Sequence, residues 1–245
     1  MTIDPRLAER RREVAEDRAR RKVGRLVRLL LVIALIGGAV WLLLSPLLSV
    51  EEVTTTGIEV STAQSVLVEQ DVIAGTPMIL IRAEEIESAL EMDPWVGEAE
   101  VELDWPGRVL VRVEERVPVA WLRTEEGWGW LAVDGVQLLS APEADAKLPW
   151  IDLGPDTGDD QWSRRLLGSL QFAAALPEDL REGTLVRVEA DGELWAEVAG
   201  YQVRLGRAVE MTAKALSLAA LLREQPAPGS ILTLIAPTHP AVSSP

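Results

Sequence analysis

The chain has 245 residues, 48% of them hydrophobic, with 24 Lys and Arg against 39 Asp and Glu, a formal net charge of −15. It has no cysteine and one histidine, His239, which excludes a disulfide framework and any zinc site or catalytic triad built on Cys and His. The charge is divided unevenly: residues 1–28 carry ten bases and five acids, a net of +5, and the other 14 bases and 34 acids leave residues 29–245 at −20.

The boundary between the two charge regimes is Leu29–Leu48, twenty uncharged residues reading LLLVIALIGGAVWLLLSPLL. As a helix this run is about 30 Å long, the thickness of bilayer hydrocarbon. Backbone groups in lipid are satisfied internally only by a helix or a closed barrel, so the segment is read as a transmembrane helix. A cleaved signal peptide is the rival, but its apolar region runs about 7–15 residues before an A-x-A site. Here Ser49-Val50-Glu51-Glu52 follows the run, and the segment is read as an uncleaved anchor. The Arg-rich side then stays in the cytoplasm. Its five interspersed acids and the adjacent membrane favour a topology signal or anionic-lipid contact over a nucleic-acid arm.

Beyond the anchor, Ser49–Thr56 reads as an extended run closed by Gly57. Ser61-Thr62 offers an N-cap to a helix over Ala63–Val72, with Val66, Leu67 and Ile73 at helical spacing. After Gly75-Thr76-Pro77 comes a short apolar run, then a helix Ala83–Leu90 with Ile86 and Leu90 on one face, stopped by Asp93-Pro94. Val101, Leu103 and Trp105 alternate with acids, and Val109, Val111 and Val113 alternate in turn across the Pro106-Gly107 turn. Parity decides the register of this hairpin. A two-residue loop would set Leu103 against Leu110, an inward residue against an outward one. A three-residue loop, Pro106–Arg108, pairs Trp105 with Val109, Leu103 with Val111 and Glu102 with Arg112, burying one face and matching charges on the other. The order strand, helix, helix, strand, strand predicts a small α+β unit with both helices on one sheet face.

From Pro118 the pattern turns to β. Val119–Arg123, Trp128–Val133 and Val136–Leu139 are strands, the last two joined at Asp134-Gly135, and Pro149–Leu153 is a further strand before a polar loop, Gly154–Asp160. Gln161–Leu176 is a helix with Leu166, Leu167, Leu170 and Ala174 inward. Thr184–Glu189, Leu194–Val198 and Gln202–Leu205 are three strands, Ala208–Leu222 a second helix, and Ile231–Ala236 a last strand before the tail 237–245.

These residues carry a resemblance. Gly75, Asp93-Pro94-Trp95-Val96, Ala99-Glu100-Val101, Trp105-Pro106-Gly107 and Glu114-Glu115-Arg116-Val117-Pro118-Val119-Ala120 stand in one order behind a basic tail and one apolar helix. Asp134-Gly135, Val203-Arg204-Leu205-Gly206 and Lys214 follow. The set resembles the bacterial cell-division proteins of the FtsQ/DivIB family over residues 29 to about 237. The resemblance implies an α+β chain: a cytoplasmic basic tail (1–28), a transmembrane helix (29–48), a β-α-α-β-β POTRA-like domain (49–118), a mixed α/β domain dominated by an antiparallel sheet (119–236) and a C-terminal tail (237–245). It further implies a non-enzymatic, bitopic scaffold of the divisome in the cell membrane at the septum. Its partners would be FtsB/DivIC-like and FtsL-like membrane proteins, with no cofactor, metal, small-molecule substrate or nucleic acid. Partner binding by strand addition falls on Ile231, Leu232, Thr233, Leu234 and Ile235, supported by the helix around Lys214. This chain has Leu232-Thr233-Leu234 where the family often carries an acid in its final strand.

Several features carry a second reading. Nine tryptophans stand against one Phe and one Tyr. Trp121, Trp128 and Trp130 are read first as core, with partner contact or a cell-wall glycan platform as alternatives, and Trp95 and Trp105 as core. A peptidoglycan-binding ectodomain is therefore the alternative function. The acidic pairs Glu51-Glu52, Glu114-Glu115 and Asp159-Asp160 lack the opposed geometry a glycosidase needs. Asp156–Asp160 lacks the spacing of an EF-hand and reads as a solvated loop. Lys214 reads as a structural or partner-facing salt bridge, and His239 as an exposed tail residue.

Overall fold

The computed structural model describes residues 26–125, 127–141 and 143–243, which fall into two compact units. The expected basic tail lies almost wholly outside the described residues.

The first unit comprises residues up to Ile58, Thr62–Leu90 and Glu98–Val113. It begins with the apolar helix Leu26–Leu43 (α1), long and apolar enough to cross a membrane. The helix stops short of Leu48. Pro46 has no N–H to continue the ladder, and Ser45 caps a 3-10 turn over Pro46–Leu48 by accepting from Leu47 N–H at 3.1 Å. The chain then runs through β1 (Glu52–Thr56), α2 (Ala63–Glu69), α3 (Ala83–Leu90), β2 (Val96–Asp104) and β3 (Arg108–Glu115). This is the order read from the sequence.

The sheet order is β1-β3-β2, with β1 parallel to β3 and Val53 opposite Val109. Ala99 and Val101 of β2 and Val109, Val111 and Val113 of β3 are buried. Odd-numbered residues of both strands thus share the inner face, the parity that a two-residue loop forbids. Arg112, on the outer face, bonds both Glu102 at 3.0 Å and Glu100 at 2.6 Å. The helices bury Ala63, Leu67, Ile86 and Leu90. Ile73 does not join them: α2 ends at Glu69, Asp71 turns back with φ +56°, and Val72 takes the buried position. At Gly57, φ is +80° and a Cβ would lie 1.9 Å from the Val113 carbonyl oxygen, so β1 closes only on glycine. Trp105 departs from expectation. It sits at the hairpin tip between β2 and β3 and is exposed.

The second unit comprises Glu59–Ser61, Glu91–Gly97 and the chain from Glu114. Its strands are β4 (Pro118–Thr124), β5 (Gly127–Ala132), β6 (Gln137–Ala141), β7 (Trp150–Asp152), β8 (Leu185–Val188), β9 (Leu194–Val198), β10 (Tyr201–Gly206), β11 (Ile231–Thr233) and β12 (Ala241–Ser243). The helices are α4 (Asp160–Ala175), the single turn α5 (Glu178–Arg181) and α6 (Met211–Arg223). All nine strands form one sheet, β12-β11-β10-β9-β8-β7-β4-β5-β6. Three pairings are parallel, β4 with β7, β7 with β8 and β10 with β11, and the rest antiparallel. α4 and α6 cover one face, enclosing Leu122, Ile151, Val186, Ala196, Val203 and Leu232.

Within α4 the inward residues are Leu166, Leu170, Phe172 and Ala173, with Gly168 and Ser169 also buried. Leu167 turns outward, and Ala174 is only half-buried. Gly168 is the point of close approach: a Cβ there would meet the Ala208 Cβ at 2.7 Å. Asp159 caps α4, accepting from Trp162 N–H at 2.6 Å, and Asp156 accepts from Gly158 N–H at 2.7 Å. The acidic loop is thus spent on turns and a cap.

The opposite sheet face is aromatic. Trp121 pairs with Trp130 in register and stacks on it at 5.4 Å, Trp95 meets Trp130 edge-on at 6.0 Å, and Trp128 leans on Trp150 at 6.0 Å. Trp121 is buried by this layer while Trp128 and Trp130 are half-buried. These rings form a second, smaller packed layer.

Candidate partner-binding site

The end of the nine-stranded sheet is built from β10, β11 and β12. Gln202, Val203 and Arg204 of β10 run parallel to Ile231, Leu232 and Thr233 of β11, and Leu234 N–H extends the pairing to Arg204 O at 2.8 Å. Alternation then splits the five expected strand residues. Leu232 and Leu234 are fully buried against the helical layer, while Ile231 and Ile235 are exposed and Thr233 half-buried on the other face.

Lys214 is fully buried on α6, among the largest enclosed side chains. Its Nζ donates to Leu205 O at 2.7 Å and Arg207 O at 2.9 Å. The expected salt bridge gives way to this clamp on two backbone carbonyls, which closes the end of β10 where Gly206 turns with φ +70°. Burial pushes the ammonium below its ordinary pKa, against the opposing pull of Glu210. Lys214 therefore supports the sheet end from inside and presents no charge to a partner.

β11 is not the outermost strand. After it, Pro237 O accepts from Ser217 Oγ at 2.8 Å, tying the turn to α6, and the chain folds back. Ala241–Ser243 pairs antiparallel along β11, with Ile231 opposite Ser243, Leu232 opposite Val242 and Thr233 opposite Ala241. Residues expected to be tail thus supply the outermost strand among the described residues, and the edge of the sheet moves from β11 to β12. All three β12 residues are exposed and uncharged. A three-residue strand with no buried face carries no alternation signal, and sequence periodicity passes over it. His239 is exposed, its Nδ1 2.9 Å from Thr238 Oγ1.

Two further groups escaped the sequence reading, although both lie in its motifs. The Glu115 carboxylate accepts from three successive N–H groups, Glu59 at 3.0 Å, Val60 at 3.0 Å and Ser61 at 2.8 Å. Desolvation pushes its pKa up, but the bonds from Ser61, Glu59 and Val60 outweigh this and hold the carboxyl below its ordinary value. Arg116 donates to Pro94 O at 3.0 Å and to Val96 O, and pairs with Asp134 at 2.7 Å. Arg116 thus links three of the sequence motifs, those around Pro94, Glu115 and Asp134.

An open cleft of about 710 Å³ lies in the second unit at the start of α4, lined in part by Leu122, Arg123, Asp152, Asp156 and Trp162. Arg123 and Asp152 pair across it at 3.1 Å. Among the described residues no three His, Asp or Glu side chains cluster to hold a metal ion.

Residues 48–116 match the family described as "POTRA domain, FtsQ-type". Over most of its length the chain is also similar to curated cell division proteins FtsQ. It is 28% identical to that of Streptomyces coelicolor, over 81% of either chain. It is 30% identical to that of Streptomyces griseus, over 80% of this chain and 98% of the relative. With that of Mycobacterium leprae it shares 28% identity, over 82% of this chain and 58% of the relative.

Proposed function

The chain belongs to the FtsQ family of cell division proteins, and we propose from that premise that it is a bitopic, non-enzymatic scaffold of the division septum. Residues 1–28 remain in the cytoplasm, α1 anchors the chain, and the POTRA-like (49–118) and β (119–236) domains hold FtsB/DivIC-like and FtsL-like membrane partners outside. Holding them there coordinates septal cell-wall synthesis.

The observation that carries this reading is the open edge at β12. Among the described residues no strand lies beyond its outward N–H and C=O groups, and an extended partner segment completes them by strand addition. Ile231 and Ile235, exposed, and the half-buried Thr233 supply an apolar and hydroxyl surface beside that edge. Leu232, Leu234 and Lys214 hold the sheet end in place from the core.

Co-purification of the tagged full-length chain with its membrane partners tests the proposal. Val242→Pro removes an N–H and breaks the β12 backbone without touching the core, and partner capture should be lost. Undiminished capture would overturn the sheet end as the interface. A Lys at Leu232 is unsuitable, because it would bury a charge and unfold the domain.

A further inference from the structure

We propose that the first unit seats itself on the bilayer surface through an apolar rim of Leu47, Ile79, Leu80 and Trp105, a lipid-contacting surface continuous with α1. The proposal rests on reading Leu26–Leu43 as the membrane span.

Three separate stretches of chain converge just beyond the end of α1. Only a short connection follows α1: Leu44 N–H bonds Val40 O and Ser45 N–H bonds Leu42 O, Ser45 itself is extended (φ −77°, ψ 154°), and Leu48 N–H bonds Ser45 O to close one 3-10 turn. With about 2 Å of rise for each residue of the 3-10 turn and at most about 3.5 Å for each of the other three, Ser49 lies within about 17 Å of Leu43. The headgroup layer on one side of a bilayer is roughly 5–8 Å deep, so this short connection keeps Ser49 and the segments it bonds close to the membrane surface.

Ser49–Glu52 is tied to both other stretches. Ser49 bridges Pro77, Val50 exchanges hydrogen bonds with Thr76 O and Gly75 N–H at 2.8 Å each, and Glu51 N–H donates to Gly107 O at 2.7 Å. Gly107 N–H in turn reaches Met78 Sδ at 2.8 Å. The turn carrying Ile79 and Leu80 and the hairpin tip carrying Trp105 are thereby fixed at the level where the chain leaves the membrane.

At this level the large apolar side chains point away from the protein. Leu47 is 72% exposed, Leu80 62%, Ile79 49% and Trp105 45%. Such exposure is costly against water, while tryptophan and aliphatic side chains settle favourably at the lipid–water boundary. The turn Met78–Leu80 buries only Met78 in the unit's core, leaving its two neighbours to face outward.

Charge selects the mode of binding. Glu51 and Glu52 flank the rim, and the nearby Arg82 and Arg108 are paired with Glu85 and Asp104, so no excess of positive charge draws anionic headgroups to this end of the unit. The seat is therefore hydrophobic and insensitive to salt, unlike a polybasic contact.

The chain has no cysteine, which permits single-site spin labelling of the full-length protein in phosphatidylcholine/phosphatidylglycerol vesicles. Labels at Leu80→Cys and, within the span, Val40→Cys should favour oxygen over a water-soluble nickel chelate. A label at Glu98→Cys, about 20 Å along β2 from the hairpin tip, should favour nickel. The contrast at Leu80→Cys should persist at high salt and be lost when Ile79 and Trp105 are both changed to Ser. Equal nickel access at Leu80→Cys and Glu98→Cys, with Val40→Cys still lipid-exposed, would overturn the rim. Nickel access at Val40→Cys would instead overturn the membrane span itself.

Discussion

Lys214 illustrates how one residue is read differently by sequence and by packing. A lone lysine on an amphipathic helix suggests a surface ion pair, yet α6 buries it among Met211, Ala215 and Leu218. Its role follows from the two carbonyls it reaches, since a buried acceptor left without a donor costs about 1–3 kcal/mol. Lys214→Met should therefore lower unfolding stability by about that amount, measured by urea denaturation of the full chain in micelles. The pH dependence has a definite sign. Burial lowers the folded-state pKa below the ordinary 10.5. Between the two values the unfolded chain holds the proton and the folded chain does not, so stability rises with pH. The gap between the parent chain and Lys214→Met should widen as pH approaches 10.5 from below, and a constant gap would show that the group is not desolvated. Glu115 and Arg116 teach the complementary lesson: both stood in recognised motifs, but their partners lie 54 and 18 residues away, at Ser61 and Asp134.

At the scale of elements, period and turn chemistry carried far. The strand–helix–helix–strand–strand order, the parity of the β2–β3 hairpin and the stop of α3 before Asp93-Pro94 follow from local alternation and backbone restrictions. Elements whose side chains face nothing were not legible in this way. β12 has no buried residue, and the α5 turn likewise buries none. The inner face of α4 was partly misjudged, because it includes Gly168 and Ser169, which hydrophobic patterning ignores. Gly168 there allows the chain around Ala208 to approach closely. Gly168→Val should overpack this contact and cost about 1–3 kcal/mol, seen as a lowered thermal midpoint. A variant as stable as the parent would show that the contact has slack.

At the scale of the molecule, the −15 net charge is the sum of a +5 arm and a −20 remainder on either side of one apolar helix. The proposed topology follows from the positive-inside rule and is open to test. In intact cells, a membrane-impermeant maleimide should label Glu98→Cys and leave Arg12→Cys unlabelled until permeabilisation. The reverse pattern would invert the topology. Local sequence properties determined the anchor, the charge division, the order of elements and the hairpin parity, because hydropathy, alternation and turn residues act over a few positions. Only the tertiary structure decided that β12 covers β11, that Lys214 clamps carbonyls and that Trp105 faces outward. Each of these depends on what distant segments place beside the residue, and no window along the chain contains that neighbour.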